Sequence, residues 1–183
     1  GLGHAILRAK NFVGNEPFAV MYGDDVIIGE NPAIGELIES YGEYGKGVVG
    51  VKLVPETEIH KYGSLAVENI HDNIYKCTDM VEKPQTPEEV LSCYSILGRC
   101  VLPPEIFEIL ENTKPGKGGE IQLTDAMKEI ATTVGMTAVE YTGTRYDMGN
   151  KLGILQASIE VGINHPEVGE DFKKYLKEFA KTL

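Results

Sequence analysis

Phe18-Ala19-Val20-Met21-Tyr22-Gly23-Asp24-Asp25 runs through five consecutive apolar residues and then stops on a glycine and two carboxylates. An unbroken apolar run of strand length suits a strand covered on both faces, as in a parallel sheet. Downstream, Asn31-Pro32 pairs a capping residue with proline at the first helical position. Ile34, Leu37, Ile38 and Tyr41 then recur at i, i+3, i+4 and i+7, one apolar face of a helix. Gly45-Lys46-Gly47 ends that unit, and residues 48–54 form the next buried strand. Upstream, residues 4–10 have helical character before Glu16-Pro17 breaks the chain.

Further out, strands are expected over 64–67, 74–80, 94–101 and 137–141, with helices over 104–111 and about 123–133. The C-terminal part is helical. Leu152, Leu155 and Ile159 make one stripe; Phe172, Tyr175, Leu176, Phe179 and Leu183 make another, with lysines opposite. Strands alternating with helices give an α/β class. Between residues 64 and 80 strand follows strand, so the sheet is expected to be mixed.

A formal net charge of −11 with no long Lys/Arg run argues against nucleic acid or an anionic membrane as partner. An anionic substrate would have to find its cations locally, and a divalent metal is one source. Cys77, Cys93 and Cys100 are odd in number and form no Cys-x-x-Cys pair, which suits free thiols in a reducing cytoplasm. No apolar run reaches transmembrane length.

Four short stretches could carry chemistry. Gly23-Asp24-Asp25 closes a strand, and open α/β sheets bind ligands beyond the carboxyl ends of their strands. A carboxylate there is placed for Mg²⁺, which takes oxygen ligands and keeps several waters; a plain Gly-Asp turn explains the same residues. In Arg145-Tyr146-Asp147-Met148-Gly149-Asn150-Lys151, Asp147 sits between a strand and a helix. Two strand-end carboxylates facing one cation serve phosphoryl transfer; an N-cap by Asp147 or Asn150 is the simpler alternative. In Val81-Glu82-Lys83-Pro84, the lysine could neutralise a phosphate and the glutamate could accept two sugar hydroxyls, or the segment is a solvated loop. Lys61-Tyr62-Gly63 offers a glycine over which a ligand could approach the backbone.

The order and spacing of these stretches are more specific than any one of them. Gly1-Leu2-Gly3-His4-Ala5, Gly23-Asp24-Asp25, Lys61-Tyr62-Gly63, Val81-Glu82-Lys83-Pro84, Gly98-Arg99-Cys100-Val101-Leu102, Gly119-Glu120-Ile121-Gln122-Leu123-Thr124-Asp125 and Tyr146-Asp147-Met148-Gly149-Asn150-Lys151-Leu152-Gly153 together resemble the bacterial UTP–glucose-1-phosphate uridylyltransferases. The match runs from Gly1 to about Leu176.

The resemblance implies a Rossmann-like mixed sheet flanked by helices, and synthesis of UDP-glucose and pyrophosphate from UTP and glucose 1-phosphate with Mg²⁺. It implies that Gly1 lies against the uracil, that Asp24 and Asp147 hold the metal, that Gly63 and Glu82 bind glucose hydroxyls, and that Lys83 contacts the sugar phosphate. Asp25, Glu120 and Lys151 are expected to be structural. The family's glycine-rich nucleotide loop, with its Arg and Lys, has no counterpart here. The expectation is therefore a fold lacking the N-terminal strand and that loop, and a chain without turnover of its own. Residues 1–165 would form the sugar-binding part of the nucleotidyltransferase domain, and 166–183 a helix for packing or oligomerisation. The family forms dimers and tetramers, so a homo-oligomer is expected. Transfer to another base or sugar, a glycosyltransferase, and a non-catalytic sugar-phosphate-binding module remain the alternatives.

Overall fold

The computed structural model describes residues 1–183, the side chain of Lys117 excepted. In chain order the elements are α1 (Leu2–Leu7), α2 (Lys10–Val13), β1 (Phe18–Met21), β2 (Asp25–Ile28), α3 (Ala33–Tyr44), β3 (Gly47–Leu53), β4 (Gly63–His71), β5 (Ile74–Glu82), β6 (Tyr94–Leu102), α4 (Ile106–Asn112), α5 (Leu123–Thr133), β7 (Met136–Glu140), β8 (Thr144–Asp147), α6 (Lys151–Ile163) and α7 (Gly169–Ala180). Six strands form one sheet in the order β1-β6-β3-β7-β5-β4, and β2 and β8 form a separate ribbon. Only β3 and β7 run parallel within the large sheet; its other pairings are antiparallel. The mixed α/β sheet expected from the sequence is present.

β3 fulfils the pattern of a strand covered on both faces, with Gly47 to Val51 all buried. Val49 and Val51 enter the main core with Phe107, Leu110, Met127 and Ile130, while Val48 joins Leu37, Val101 and Val139 under α3. α3 ends on Gly45 in the left-handed region (φ 61°), where a glycine carries no Cβ penalty. Leu37 is fully buried, which contributes about 2 kcal/mol. Ile38, placed on the same face by its spacing, is instead 53% exposed, so the buried stripe is narrower than the apolar one.

β1 corrects the first reading. It is an edge strand paired only with β6, alternating half-buried Phe18 and Val20 with exposed Ala19 and Met21. Apolar run length signals a strand, but the cover over each face comes from elements distant in sequence. The inward face does pack: the Phe18 ring stacks on Phe107 with centroids 5.1 Å apart.

The β4–β5 hairpin is longer than its apolar residues suggested and contains irregularities near Ala66 and Asn69. The C-terminal stripes lie on helices, as expected, with much of their apolar surface open. α6 buries Gly153 and Ala157, leaving Leu152, Leu155 and Ile159 exposed. α7 packs on α6 through Phe172, whose ring sits where a side chain at Gly162 would be, 2.7 Å from an added Cβ. Tyr175 and Phe179 stack along α7 and remain exposed. No helix of the described residues is long and apolar enough to cross a membrane.

Candidate active site

The β2–β8 ribbon places Asp25 directly opposite Asp147. Just before β2, the carbonyl of Asp24 accepts a 2.7 Å hydrogen bond from the Met148 amide. Main-chain atoms thus tie the Asp24 turn to the end of β8. Asp24 is exposed and its carboxylate has no hydrogen-bond partner among the described residues. One oxygen of Asp147 accepts from the Gly149 amide at 2.8 Å, a side-chain turn that holds the carboxylate in place. Asn150 caps α6 by accepting from the Gly153 amide at 2.8 Å. The simpler roles of turn and cap are therefore real, and they coexist with a common outlook: Asp24 and Asp147 line the same cavity of about 400 Å³.

Glu82, Lys83 and Gly63 line that cavity too. Adjacent residues of a strand point to opposite faces, so Glu82 and Lys83 would ordinarily diverge. Lys83 breaks the alternation with φ of 47°, a left-handed conformation uncommon outside glycine. Its amide donates to the Tyr62 carbonyl at 3.0 Å, locking the bend. The ammonium then lies 3.5 Å from a Glu82 oxygen. Strain of this kind persists where the surroundings over-determine it, and it gathers at functional sites. Gly63 pairs with Glu82 across the strands; an added Cβ would lie 3.5 Å from Glu82 Oε2, over the cavity floor.

Beneath these groups lies a charge network. The Arg145 guanidinium pairs with Asp25 through Nε, approaches Asp147 Oδ2 at 3.9 Å, and sits over the Tyr62 ring at 5.1 Å. Arg99 donates to the Asp25 carbonyl at 2.8 Å. Like charges directly opposite on a ribbon repel, so the Asp25–Asp147 pair depends on Arg145 between them. Burial raises the Asp25 carboxyl pKa above its ordinary value, and the Arg145 bond partly opposes that shift.

Around the cavity five carboxylates, Asp24, Asp25, Glu82, Glu120 and Asp147, face three cations, Lys61, Lys83 and Arg145. Asp25 and Glu82 are held by close side-chain partners, whereas Asp147 has the Gly149 amide on one oxygen and Arg145 no nearer than 3.9 Å to the other. Two oxygen-donor acids, Asp24 and Asp147, fit a hard cation that retains waters and phosphate oxygens. A fuller cage is absent, since no cluster of three or more His, Cys, Asp or Glu with metal-ligand geometry occurs among the described residues. Gly1 does not line the cavity, although Leu2 does. A Cβ at Gly1 would meet Glu120 Cβ at 2.7 Å and the Ile121 carbonyl at 2.8 Å, so close packing alone demands glycine there.

The sequence profile of the family described as nucleotidyl transferase matches residues 1–162. The chain belongs to that family. Among its nucleotidyl transferase relatives, the UTP–glucose-1-phosphate uridylyltransferase of Staphylococcus epidermidis is 43% identical over 97% of this chain and 62% of its own length. A UDP-glucose pyrophosphorylase solved with UDP-glucose superimposes with a TM-score of 0.82 at 41% identity, covering 86% of this chain and 60% of the other. A UTP-bound enzyme of the same kind from Acinetobacter baumannii gives a TM-score of 0.86 at 35% identity, covering 97% and 62%. The chain thus spans a little over three-fifths of the length of the relatives it matches.

Several residues of this candidate site carry little signal in the sequence. Arg145 was legible in principle: it stands two positions before Asp147 on one strand, hence on the same face. Glu120, expected to be structural, lines the cavity, whereas Lys151 does not. Thr124 gave no signal, because its partner Glu82 lies 42 positions away.

Proposed function

We propose that this chain carries the sugar-phosphate side of a UTP–glucose-1-phosphate uridylyltransferase site. The observation that supports this most is the convergence of Asp24, Gly63, Glu82, Lys83 and Asp147, drawn from four separate segments, on one cavity. Glucose would sit over Gly63 with hydroxyls donating to Glu82. Its phosphate would lie against the Lys83 ammonium. Leu2, which lines the cavity, would border the uracil, and Gly1, which does not line it, would be its chain neighbour.

Asp24 and Asp147 would hold Mg²⁺, which supplies charge neutralisation at the phosphates when bound. The reaction is then a matter of positioning. A phosphate oxygen of glucose 1-phosphate bonds to the α-phosphorus of UTP, the bond from that phosphorus to the β-phosphate bridge breaks, and pyrophosphate leaves. Lys83 holds the attacking phosphate throughout. No proton need move, because the nucleophile is already anionic.

Titration calorimetry with glucose 1-phosphate tests the reading. Binding is expected in the natural chain, weakened at least tenfold in Lys83→Ala. Asp24→Ala should abolish the enhancement of binding by Mg²⁺. Affinity indifferent to both substitutions would favour a generic binding module instead. With five carboxylates facing three cations, a triphosphate is poorly neutralised. The 183-residue chain alone is therefore expected to release no pyrophosphate from UTP and glucose 1-phosphate. A cytoplasmic setting accords with the three free thiols, and self-association through the exposed apolar face of α6 and α7 accords with the expected oligomer.

A further inference from the structure

Glu82 does not hang freely in the cavity. Its side chain is 17% exposed, and Oε2 accepts a 2.7 Å hydrogen bond from the hydroxyl of Thr124. Thr124 is itself 8% exposed, in the first turn of α5. The helix is anchored from behind by Leu123, Ala126, Met127 and Ile130, all in the main core. The hydroxyl is therefore delivered by a rigid element, and its bond to an ionised acceptor is of the stronger, charge-assisted type. A glutamate has three rotatable side-chain bonds, and without such a tether its carboxylate would sample several orientations.

We propose that Thr124 is a positioning residue that sets the orientation of the Glu82 carboxylate and so determines which sugar hydroxyls the site accepts. The inference rests on the proposed glucose 1-phosphate site. With Oε2 engaged by Thr124 and Oε1 turned toward Lys83, the acceptor directions left over are fixed in space. A hydroxyl of the wrong configuration then finds no acceptor, and a buried donor without a partner is strongly disfavoured. Thr124 touches no ligand in this scheme. It acts through Glu82.

The test compares Thr124→Val, which keeps the shape and removes the donor, with Thr124→Ser, which keeps the donor. Calorimetric affinities for glucose 1-phosphate and galactose 1-phosphate, epimers at one hydroxyl, are the readout. Thr124→Val is expected to weaken glucose 1-phosphate binding about tenfold and to bring the ratio of the two affinities close to one. Thr124→Ser should keep the natural ratio. A role confined to helix packing would lower the melting temperature without changing the ratio.

Thermal melts verify folding. If the valine protein is unfolded at the titration temperature, Thr124→Ala is read in its place. Glucose 1-phosphate binding with an unchanged epimer ratio in the donor-free variant overturns the Thr124 inference alone. No binding of either epimer by the natural chain overturns the site reading and this inference together.

Discussion

Gly63 separates folding from binding more cleanly than any other residue of the site. A Cβ there would meet Ile96 Cδ1 at 3.4 Å and Glu82 Oε2 at 3.5 Å, ordinary van der Waals contacts. Gly63→Ala should therefore leave the melting temperature unchanged or slightly raised, since alanine costs less conformational entropy than glycine in a strand. The same methyl would occupy the cavity floor, and calorimetry should record the loss of glucose 1-phosphate binding. At Tyr141 the opposite holds. Its hydroxyl is buried without a hydrogen-bond partner among the described residues, and burial pushes its pKa up. Tyr141→Phe removes an unsatisfied group while keeping the ring, so chemical denaturation should report a gain of about 1 kcal/mol.

At the level of elements, α6 depends on its cap. Asn150 satisfies the Gly153 amide at 2.8 Å, and the chain reaches it directly from the Asp147 turn. Asn150→Ala should cost about 1 kcal/mol in denaturant unfolding. Because only three residues separate β8 from α6, fraying there should also loosen Asp147. Local pattern made much of this level legible. α5 has the expected bounds because its apolar period and polar lead-in agree, whereas β3 lies one residue earlier than its apolar run at each end, enclosed from Gly47 to Val51 with Leu53 exposed. The β2 strand was missed: four residues pairing with a partner more than a hundred positions away carry almost no local signal. The position of β1 at the edge, and the exposure of Leu152, Leu155 and Ile159, depend on what covers each face. That information is nonlocal. For the candidate site, glycine and proline punctuation marks Asp24, Lys83 and Asp147 as turn residues, while the roles expected of them come from the family resemblance. Arg145, Tyr62 and Thr124 act through contacts that only the folded chain creates.

The whole molecule carries a net charge of −11, and its acids set its response to pH. Asp125 has its pKa raised, first by burial and then by repulsion from Glu82, with Lys128 opposing. A native carboxyl that titrates above its unfolded value of about 3.9 holds its proton longer than the unfolded chain does. Its contribution to stability therefore falls as pH rises through the window between the two values, and is level on either side. Asp125→Asn should remove that decline, seen as a flatter profile of denaturation midpoint against mildly acidic pH. Elsewhere the molecule exposes Leu152, Leu155, Ile159, Tyr175 and Phe179 along two adjacent helices. Patches of this kind favour association. Sedimentation should therefore show self-association of the natural chain that Leu155→Glu reduces, with α-helical content retained.

The Met148 amide grips the carbonyl of Asp24, so the spacing between the turn at 24 and the bend at 147 is set by backbone atoms and not by either acid. Side chains at the two positions can then be swapped, lengthened to glutamate or neutralised without dragging the other out of place. If the proposed Mg²⁺ assignment holds, substitutions at Asp24 and at Asp147 should therefore change ion affinity separately, each without moving the other backbone turn.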